Sequence, residues 1–393
     1  MKFIYLDNNA STPTDRAVVD AIVPFFTEIY SNPSSTLHMH GNMALESIRE
    51  AQETIAEYLG VYGEDIIFTS GATESNNLAI KGAIYASAKP KKHIITSLIE
   101  HECVLETCRA LEVQGVDITY VSVNKDGFVD VSEIEAAITE DTVLISIMTA
   151  NNEIGTIQPI QKIGELAASK NIPFHTDATQ YISTGMLNLR HLKADLVSFS
   201  GHKYYAPKGI GCLYVNTDSV KIEPQILGGH QQRNYRSGTM NVPGIVGISV
   251  ATRLAYINAE EENRRIARQR DMLLELISKD IEVIVNGSML DRIHSNLNIS
   301  IPGVSAIALS GKVPDVMFSA GSACATSNGN FSHVLKALGL DDDLIKCSIR
   351  LSLGRFTTDD DVIIAAEKII KGCRQVRSTG SRFIVRLGDN IVA

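Results

Sequence analysis

The stretch PFHTDATQYISTGMLNLRHLKADLVSFSGHK, residues 173–203, carries the clearest information about the fold. Two apolar runs in it, residues 173–178 and 195–200, have the length of buried β-strands. Asp177 lies at the end of the first run and Lys203 lies just past the second. If the strands are parallel neighbours, both side chains lie at the carboxyl edge of one sheet, where α/β proteins bind ligands. The stretch therefore predicts an α/β fold with a crevice at that edge.

The sequence before and after this stretch continues the same pattern. From about residue 44 to residue 215, short apolar runs alternate with helical stretches, which is typical of a mainly parallel sheet covered by helices. Residues 44–60 form the first predicted helix, which has one apolar face and ends at Gly60. Further strands are predicted at 65–70, 93–97, 117–123, 142–148 and 211–215, and helices at 73–86, 103–113, 131–138 and 160–170.

The pattern changes near residue 253. Apolar residues at helical spacing within the charged stretch 253–280 predict one long helix that leaves the first domain. Strands at 296–301 and 348–353 and helices at 334–339 and 361–372 then predict a smaller α+β domain. We predict a large domain at 15–255, a small domain at 256–376 that includes 1–14, and a basic tail at 377–393. In the tail, two apolar runs around Leu-Gly-Asp-Asn indicate either a strand or hairpin that a partner could order or a frayed terminus.

Composition and charge limit the classes of function. The 393 residues carry 45 acidic and 36 basic side chains, and the net charge of −9 disfavours nucleic acid as the main ligand. No uncharged apolar run approaches the roughly 18 residues that span a bilayer, so no membrane partner is expected. The six cysteines show no CxxC spacing, which indicates free thiols in a reducing, cytoplasmic setting rather than disulfides or a structural metal site.

A second motif, SGATESNN at residues 70–77, lies between a predicted strand and a predicted helix. Ala72 and Thr73 can present backbone N–H groups to a phosphate at the helix N-terminus. The same residues also fit a simple capping box formed by Thr73 and Asn76. Together with the two strand-end side chains, the motif matches what pyridoxal phosphate requires. These requirements are a carboxylate for the pyridine nitrogen, a lysine for a Schiff base and a cradle for the phosphate.

These motifs belong to a longer series of segments. The segments are YLDNNASTP (5–13), NPSSTLHMHG (32–41), FTSGATESNN (68–77), EHECVLETC (100–108), NNEIGTIQPI (151–160), HTDATQ (175–180), SFSGHKYYAPKGIG (198–211), RSGTMNVP (236–243), SAGSACATS (319–327) and IRLSLGRFT (349–357). In number, order and spacing the series resembles the cysteine desulfurases of the class V aminotransferase superfamily, particularly the group that serves iron–sulfur cluster assembly. The resemblance covers about residues 3–375. It implies a homodimeric, fold-type I pyridoxal phosphate-dependent transferase, with a large domain around a mainly parallel sheet and a smaller α+β C-terminal domain.

The resemblance also implies roles for single residues. Lys203 would attach the cofactor and move a proton, and Asp177 would pair with the pyridine nitrogen. His101 would stack on the ring and shuttle protons. Asn152 and Arg350 would hold the substrate carboxylate, with Arg350 as a planar bidentate fork. The remaining implied cofactor contacts are Gln180 at the phenolic oxygen, and Ala72, Thr73, Ser200, His202 and, from the neighbouring subunit, Thr239 at the phosphate.

The implied substrate is L-cysteine, which becomes L-alanine while its sulfur passes to a protein thiol. Cys324 lies in a loop of small residues, AGSACATSNGN (320–330), with no bulky neighbour to bury it. It is therefore the best candidate for the nucleophile that carries the persulfide. Cys103, Cys108, Cys212 and Cys347 are predicted to be packing residues. The implied partner is a sulfur-acceptor protein.

Other interpretations of the same fold stay open at this stage. A selenocysteine lyase or another C–S lyase would depend less on Cys324, and a desulfurase could serve tRNA thiolation or DNA phosphorothioation instead of cluster assembly. An idle scaffold protein is disfavoured because the full set of implied catalytic residues is present. The chain departs from the family's pattern at His230, Gln232, Ala320, Ala325 and the tail.

Overall fold

In the computed structural model of the protein, residues 3–320, 331–378, 385–387 and 390–392 are described. The strands are β1 Ile4–Tyr5, β2 Ile66–Thr69, β3 His93–Ser97, β4 Asp117–Val121, β5 Thr142–Ser146, β6 Phe174–Asp177, β7 Leu196–Ser200, β8 Gly211–Val215, β9 Ile284–Val285, β10 Asn296–Ser300, β11 Val316–Met317, β12 Ser348–Ser352, β13 Val385–Leu387 and β14 Asn390–Val392. The helices are α1 Arg16–Ile22, α2 Pro24–Thr27, α3 Met39–Leu59, α4 Ala72–Ala86, α5 Glu102–Glu112, α6 Val131–Ala137, α7 Ile160–Ser169, α8 Leu189–Leu192, α9 Val242–Ile257, α10 Ala259–Ser278, α11 Ala306–Lys312, α12 His333–Ala337, α13 Asp342–Lys346 and α14 Asp359–Ser378. Short 3-10 helices lie at Gly63–Asp65, Ile182–Thr184, Gly201–Lys203 and Gln232–Asn234.

A seven-stranded sheet forms the larger lobe, in the order β2-β8-β7-β6-β5-β3-β4. β8 runs antiparallel to both neighbours, and the other pairs are parallel. Strands β3, β5, β6 and β7 are buried along their whole length, so they appear in the sequence as continuous apolar runs. Ile66 and Ile67 belong to separate apolar clusters, one on each face of the sheet. The predicted α/β fold with a mainly parallel sheet is confirmed.

Helices α3 and α9 pack together in the core of the larger lobe. α3 buries Ile48 and Ile55 and ends at Gly60, whose φ of 75° is the left-handed conformation expected of a C-terminal glycine. Within the described residues, no single helix is both long and apolar enough to cross a membrane. Taken together, the bent pair α9 and α10 has the length and apolar composition of a broken span, but α9 buries residues such as Ile245 and Ile248 in the core.

The prediction of one long helix over residues 253–280 is wrong. The chain forms α9 and α10 instead, which meet at 75° around Asn258. Asn258 has a φ of −108° and a ψ of 10°, outside helical geometry. Three glutamates at 260–262 occupy the first turn of α10, where negative charge favours a helix start. Because the apolar spacing continues across the break, periodicity alone did not reveal it.

A second apolar core lies beside a three-stranded antiparallel sheet in the order β12-β10-β9. β1 pairs in parallel with β11, which brings Ile4 and Leu6 into this core beside Ile266 of α10 and Ile369 of α14. α14 continues to Ser378, into the first residues of the predicted tail, and β13 pairs antiparallel with β14 farther along. The domain boundaries given above stay a prediction.

Candidate active site

One cavity of about 530 Å³ lies where the carboxyl ends of β6 and β7 face the start of α4. Asp177, at the end of β6, and Lys203, directly after β7, both line it. Thr239 is exposed and is not among the lining residues of this chain, and Cys324 lies outside the described residues. The other site residues predicted from the sequence that line the cavity are Ala72, Thr73, His101, Asn152, Gln180, Ser200, His202 and Arg350.

Lys203 is held at the cavity wall by the N-terminal segment. Its Nζ donates hydrogen bonds to the backbone oxygens of Asn9, at 2.7 Å, and Ala10, at 2.9 Å. Gln180 Nε2 donates to the same Asn9 oxygen at 3.0 Å. The segment that precedes α1 therefore closes one side of the cavity and fixes the position of the lysine amine.

Asp177 is a buried carboxylate fixed by two donors. Its Oδ2 accepts from Asn76 Nδ2 at 2.7 Å, and its Oδ1 accepts from the Thr179 backbone N–H at 2.9 Å. Since an ionised carboxylate only accepts hydrogen bonds, Asn76 must turn its amide nitrogen toward it. Each carboxylate oxygen has two lone pairs, so Asp177 can accept further hydrogen bonds from a ligand.

The start of α4 has the properties of an anion site. No side chain caps its first turn, so the first backbone N–H groups have no partner within the helix. Gly71, which precedes the helix, has a φ of 153°, a conformation that favours glycine. A β-carbon on Gly211 would come within 2.6 Å of the Gly71 Cα, so the two backbones can approach because Gly211 lacks a side chain.

The alternative interpretation of the motif, a capping box formed by Thr73 and Asn76, does not hold, because α4 begins one residue earlier, at Ala72. Glu74 binds the preceding turn instead, and its Oε2 accepts from the Ser70 backbone N–H at 2.8 Å. Its Oε1 accepts from Arg236 Nε at 2.8 Å. Burial raises the pKa of Glu74, but the hydrogen bonds from Arg236 and Ser70 outweigh burial, so that the pKa lies below its ordinary value.

Arg350, in β12, has a buried guanidinium that forms an ion pair with Asp7. Its Nη2 donates to Asp7 Oδ1 at 2.8 Å and to Ser319 Oγ at 3.1 Å, and its Nη1 donates to the Asn152 backbone oxygen at 3.0 Å. Its Nε is buried without a hydrogen-bond partner in the described part of the chain. The guanidinium is thus preorganised and still has a donor for a carboxylate.

The prediction that Cys103 only packs is wrong. Its Sγ lies 3.0 Å from His101 Nδ1 and 3.2 Å from Asn76 Nδ2, and the residue lines the cavity. Its place in the sequence was a usable signal, because it follows His101 by two residues at a helix start and so lies in the first turn of α5. Cys108, Cys212 and Cys347 are buried, as predicted.

The departures at His230 and Gln232 have a structural explanation. His230 takes a φ of 62°, the left-handed conformation that a glycine adopts without strain, and its Nδ1 lies 2.7 Å from Asn234 Oδ1. Gln232 accepts from the Phe68 backbone N–H at 2.7 Å and donates to the Phe68 oxygen at 2.9 Å. An ionised glutamate could not donate the second bond, so glutamine ties this loop to the edge strand β2.

Two histidines near the sheet edge, the buried His175 and the half-buried His202, are held neutral. His175 lies between the hydroxyls of Ser146, at 2.8 Å, and Ser198, at 3.0 Å, and burial lowers its pKa to about 4. Burial, together with Lys203 and Lys208, also lowers the pKa of His202 to about 4. A bound phosphate would reverse the effect of the lysines on His202, because a nearby anion favours the protonated ring.

Acid should therefore destabilise the protein through His175. In the unfolded protein His175 binds a proton near its ordinary pKa of 6.5, whereas in the folded protein it does so only near 4. The contribution of the neutral His175 to stability is therefore fully present above pH 6.5 and is lost as the pH falls toward 4. Between pH 7 and pH 5 the loss from this one group is about 2 kcal/mol. Denaturant unfolding at both pH values should show that His175→Gln reduces the pH dependence by about that amount. His191→Gln, an exposed control on α8, should not change it, and an equal pH dependence in all three proteins would contradict the assignment.

A mainly parallel sheet with Lys203 and Asp177 at its carboxyl edge fits the fold of the class V aminotransferases, and comparison with known proteins supports this family. The family model for aminotransferase class-V matches residues 4–364, and the chain belongs to that family. A cysteine desulfurase IscS of Methanosarcina thermophila is 45% identical over 380 residues, which cover 96% of this chain and 93% of that protein. Within the family, the chain is one of the cysteine desulfurases.

Solved structures agree with this placement. A structure described as a NifS-like protein is 36% identical, has a TM-score of 0.88, and the match covers 94% of this chain and 98% of that one. A structure described as SspA in complex with cysteine is 37% identical, has a TM-score of 0.81, and the match covers 90% and 99% of the two chains. The similarity therefore extends over both lobes.

Proposed function

We propose that the protein is a pyridoxal phosphate-dependent cysteine desulfurase that converts L-cysteine to L-alanine and takes the sulfur onto Cys324 as a persulfide. The observation that carries the proposal is the meeting of Asp177, Lys203 and the uncapped start of α4 in one cavity. The similar SspA structure is described as a complex with cysteine, which supports the choice of substrate.

The residues of the cavity fit pyridoxal phosphate. A β-carbon on Gly71 would lie 3.5 Å from Ser200 Oγ and would fill the space between that hydroxyl and the helix start, where a phosphate would bind. Thr179 Oγ1 is buried at the cavity wall and has no hydrogen-bond partner in the described residues. Asp177 would pair with the pyridine nitrogen, Gln180 would bind the phenolic oxygen and Lys203 would hold the cofactor covalently. The phosphate ligands would be Ala72, Thr73, Ser200, His202 and the partner subunit's Thr239.

When bound, the cofactor withdraws electrons from the amino acid Cα and weakens the bonds around it. The protein supplies position and proton transfer. Arg350 and Asn152 orient the substrate by its carboxylate, Lys203 Nζ moves a proton at the substrate Cα, and His101 moves a second proton beside it. Burial lowers the pKa of His101, so the neutral form of the ring is favoured.

The sulfur step needs only the substrate and one protein thiol. The Cys324 thiolate attacks the substrate sulfur, a new S–S bond forms, and the substrate C–S bond breaks. The electron pair of that bond stays with the substrate carbon, which takes a proton to give alanine. Overall, L-cysteine and a thiol become L-alanine and a persulfide, with no outside oxidant or reductant.

Delivery of this sulfur requires an acceptor. We propose an acceptor protein in iron–sulfur cluster assembly, in agreement with the IscS names of the similar proteins, and a homodimer in which Thr239 enters the neighbouring site. A reducing compartment such as the cytoplasm suits a chain whose cysteines at 103, 108, 212, 347 and 373 are all free.

The test is to incubate the protein and pyridoxal phosphate with L-cysteine, and separately with selenocysteine, and to measure alanine. Catalytic formation of alanine from L-cysteine, over many turnovers per protein, supports a desulfurase. Alanine from selenocysteine alone would overturn the proposal in favour of a lyase.

Replacement of Arg350 by alanine should mainly weaken substrate binding. A charge-assisted bidentate contact contributes about 1.5–3 kcal/mol, so the KM for cysteine should rise about tenfold to a hundredfold while kcat changes less. Arg350→Lys keeps the positive charge but not the planar fork, so its KM should lie between those of the wild type and Arg350→Ala. Steady-state kinetics give both constants, and circular dichroism confirms that the variants, which leave Asp7 without this partner, are folded. An unchanged KM in Arg350→Ala would contradict the role.

A further inference from the structure

Cys103 occupies a central position among the polar groups of the cavity. Its Sγ contacts His101 of the segment before α5 and Asn76 of α4, and the Thr73 hydroxyl also hydrogen-bonds to it. Asn76 Nδ2 donates at the same time to Asp177. One thiol therefore connects the ring of His101, which lines the cavity, with the amide that orients the buried carboxylate.

The hydrogen-bond directions in this cluster can be derived. The Cys103 backbone N–H donates to His101 Nδ1 at 3.1 Å, because His101 is the N-cap of α5. Nδ1 must then carry a lone pair, so the neutral ring bears its proton on Nε2. The Cys103 Sγ accepts from Asn76, and its own S–H lies within hydrogen-bond distance of Nδ1 and can donate to it. Protonation of Nδ1 would break the hydrogen bond from the Cys103 backbone N–H. It would also make Nδ1 the donor, and the Cys103 sulfur the acceptor, of the bond between them.

We propose that Cys103 is a positioning residue of the desulfurase, whose thiol holds His101 neutral with its proton on Nε2 and links the ring to Asp177 through Asn76. The inference rests on the proposed function, since it concerns the state of the ring during that reaction. In this state His101 presents an Nε2–H donor to the cavity, and its Nδ1 lone pair, the site where the neutral ring can take up a proton, is held by the Cys103 backbone N–H and thiol.

The charges around the cluster agree with this role. Burial and the Asp177 carboxylate raise the pKa of the Cys103 thiol to about 12, so it stays protonated and is no competitor for sulfur. Burial lowers the pKa of His101. Of the charged groups that face the ring, Lys203 and His333 lower the pKa further, and Asp177 and Glu102 raise it. The thiol bond adds to the effects that favour the neutral ring.

The direct test is nitrogen NMR of the full-length protein labelled in its histidines, first without cofactor and then with pyridoxal phosphate restored. His101 is assigned from the signal lost in His101→Gln. The wild-type ring should show an unprotonated Nδ1 and a protonated Nε2. In Cys103→Ala, loss of the donor and entry of water should raise the pKa of His101 by about 0.5–1 unit. Cys103→Ser, which keeps a donor, should reverse most of that shift.

Cys108→Ala is the matched control, because Cys108 lies buried on the same helix within the apolar core and should leave the pKa of His101 unchanged. The acid limb of the kcat profile should move to higher pH in Cys103→Ala alone. A wild-type ring protonated on Nδ1, or the same pKa in wild type and Cys103→Ala, would overturn the inference. The NMR measurement needs no substrate, so it can fail while alanine is still formed, which separates this inference from the proposed function.

Discussion

A Lys203→Ala variant should lose turnover almost completely and should bind pyridoxal phosphate only noncovalently. The amine is held in the cavity by the Asn9 and Ala10 carbonyl oxygens, and it is the group proposed to move the proton at the substrate Cα. Loss of a positioned proton-transfer group alone costs about 10²–10⁴-fold in rate. The fold should persist, because Gln180 still donates to the Asn9 oxygen.

Absorption spectra and steady-state alanine production measure this effect. The wild type should show a cofactor band that borohydride abolishes and that survives desalting as a protein-bound group, and Lys203→Ala should not. Lys208→Ala is the matched control, because Lys208 also lines the cavity but should leave the covalent attachment intact. Normal turnover by Lys203→Ala would rule out the assignment of this lysine.

A Cys324→Ala variant should bind the cofactor and the substrate normally but should not transfer sulfur. Neither binding event uses this thiol, whereas cleavage of the substrate C–S bond requires a nucleophile on the sulfur. Alanine formation should fall by a factor on the order of a hundred or more, since covalent participation is lost entirely. Cysteine should still change the cofactor spectrum when it is added to the variant.

Cys373→Ala is the control for loss of a thiol. Cys373 is buried in the second apolar core, so its removal should lower the free energy of unfolding and leave sulfur transfer intact. If Cys324→Ala forms alanine and sulfide at the wild-type rate, the reaction proceeds without that thiol, and a lyase mechanism is supported instead.

The sequence predicted the sheet and its functional edge because buried parallel strands are short, continuous apolar runs. HIITS matches the parallel strand β3 at both ends, and GCLYV matches β8, which is equally buried although it runs antiparallel to both neighbours. The functional edge followed from the same argument, since a strand ending in Asp177 and a strand followed by Lys203 place both side chains at one edge.

What the sequence could not predict depends on contacts between distant segments. The break at Asn258 interrupts a helix without interrupting its apolar spacing, so no local pattern marked it. Thr73 and Asn76 fitted a capping box by their spacing, but α4 begins at Ala72, directly after Gly71, which packs against Gly211 from a distant part of the chain. The contact of Cys103 with Asn76 joins residues 27 positions apart and requires α4 and α5 to lie side by side.

The measurement that tests the central claim most directly is a single turnover of the wild-type protein with L-cysteine and no added reductant. Alanine is counted per protomer, and peptides are analysed by mass spectrometry for added sulfur. The account predicts one alanine for each sulfur atom gained on the peptide that contains Cys324, and no gain on the peptide that contains Cys103. Alanine formed together with free sulfide, and with no sulfur on Cys324, would contradict it.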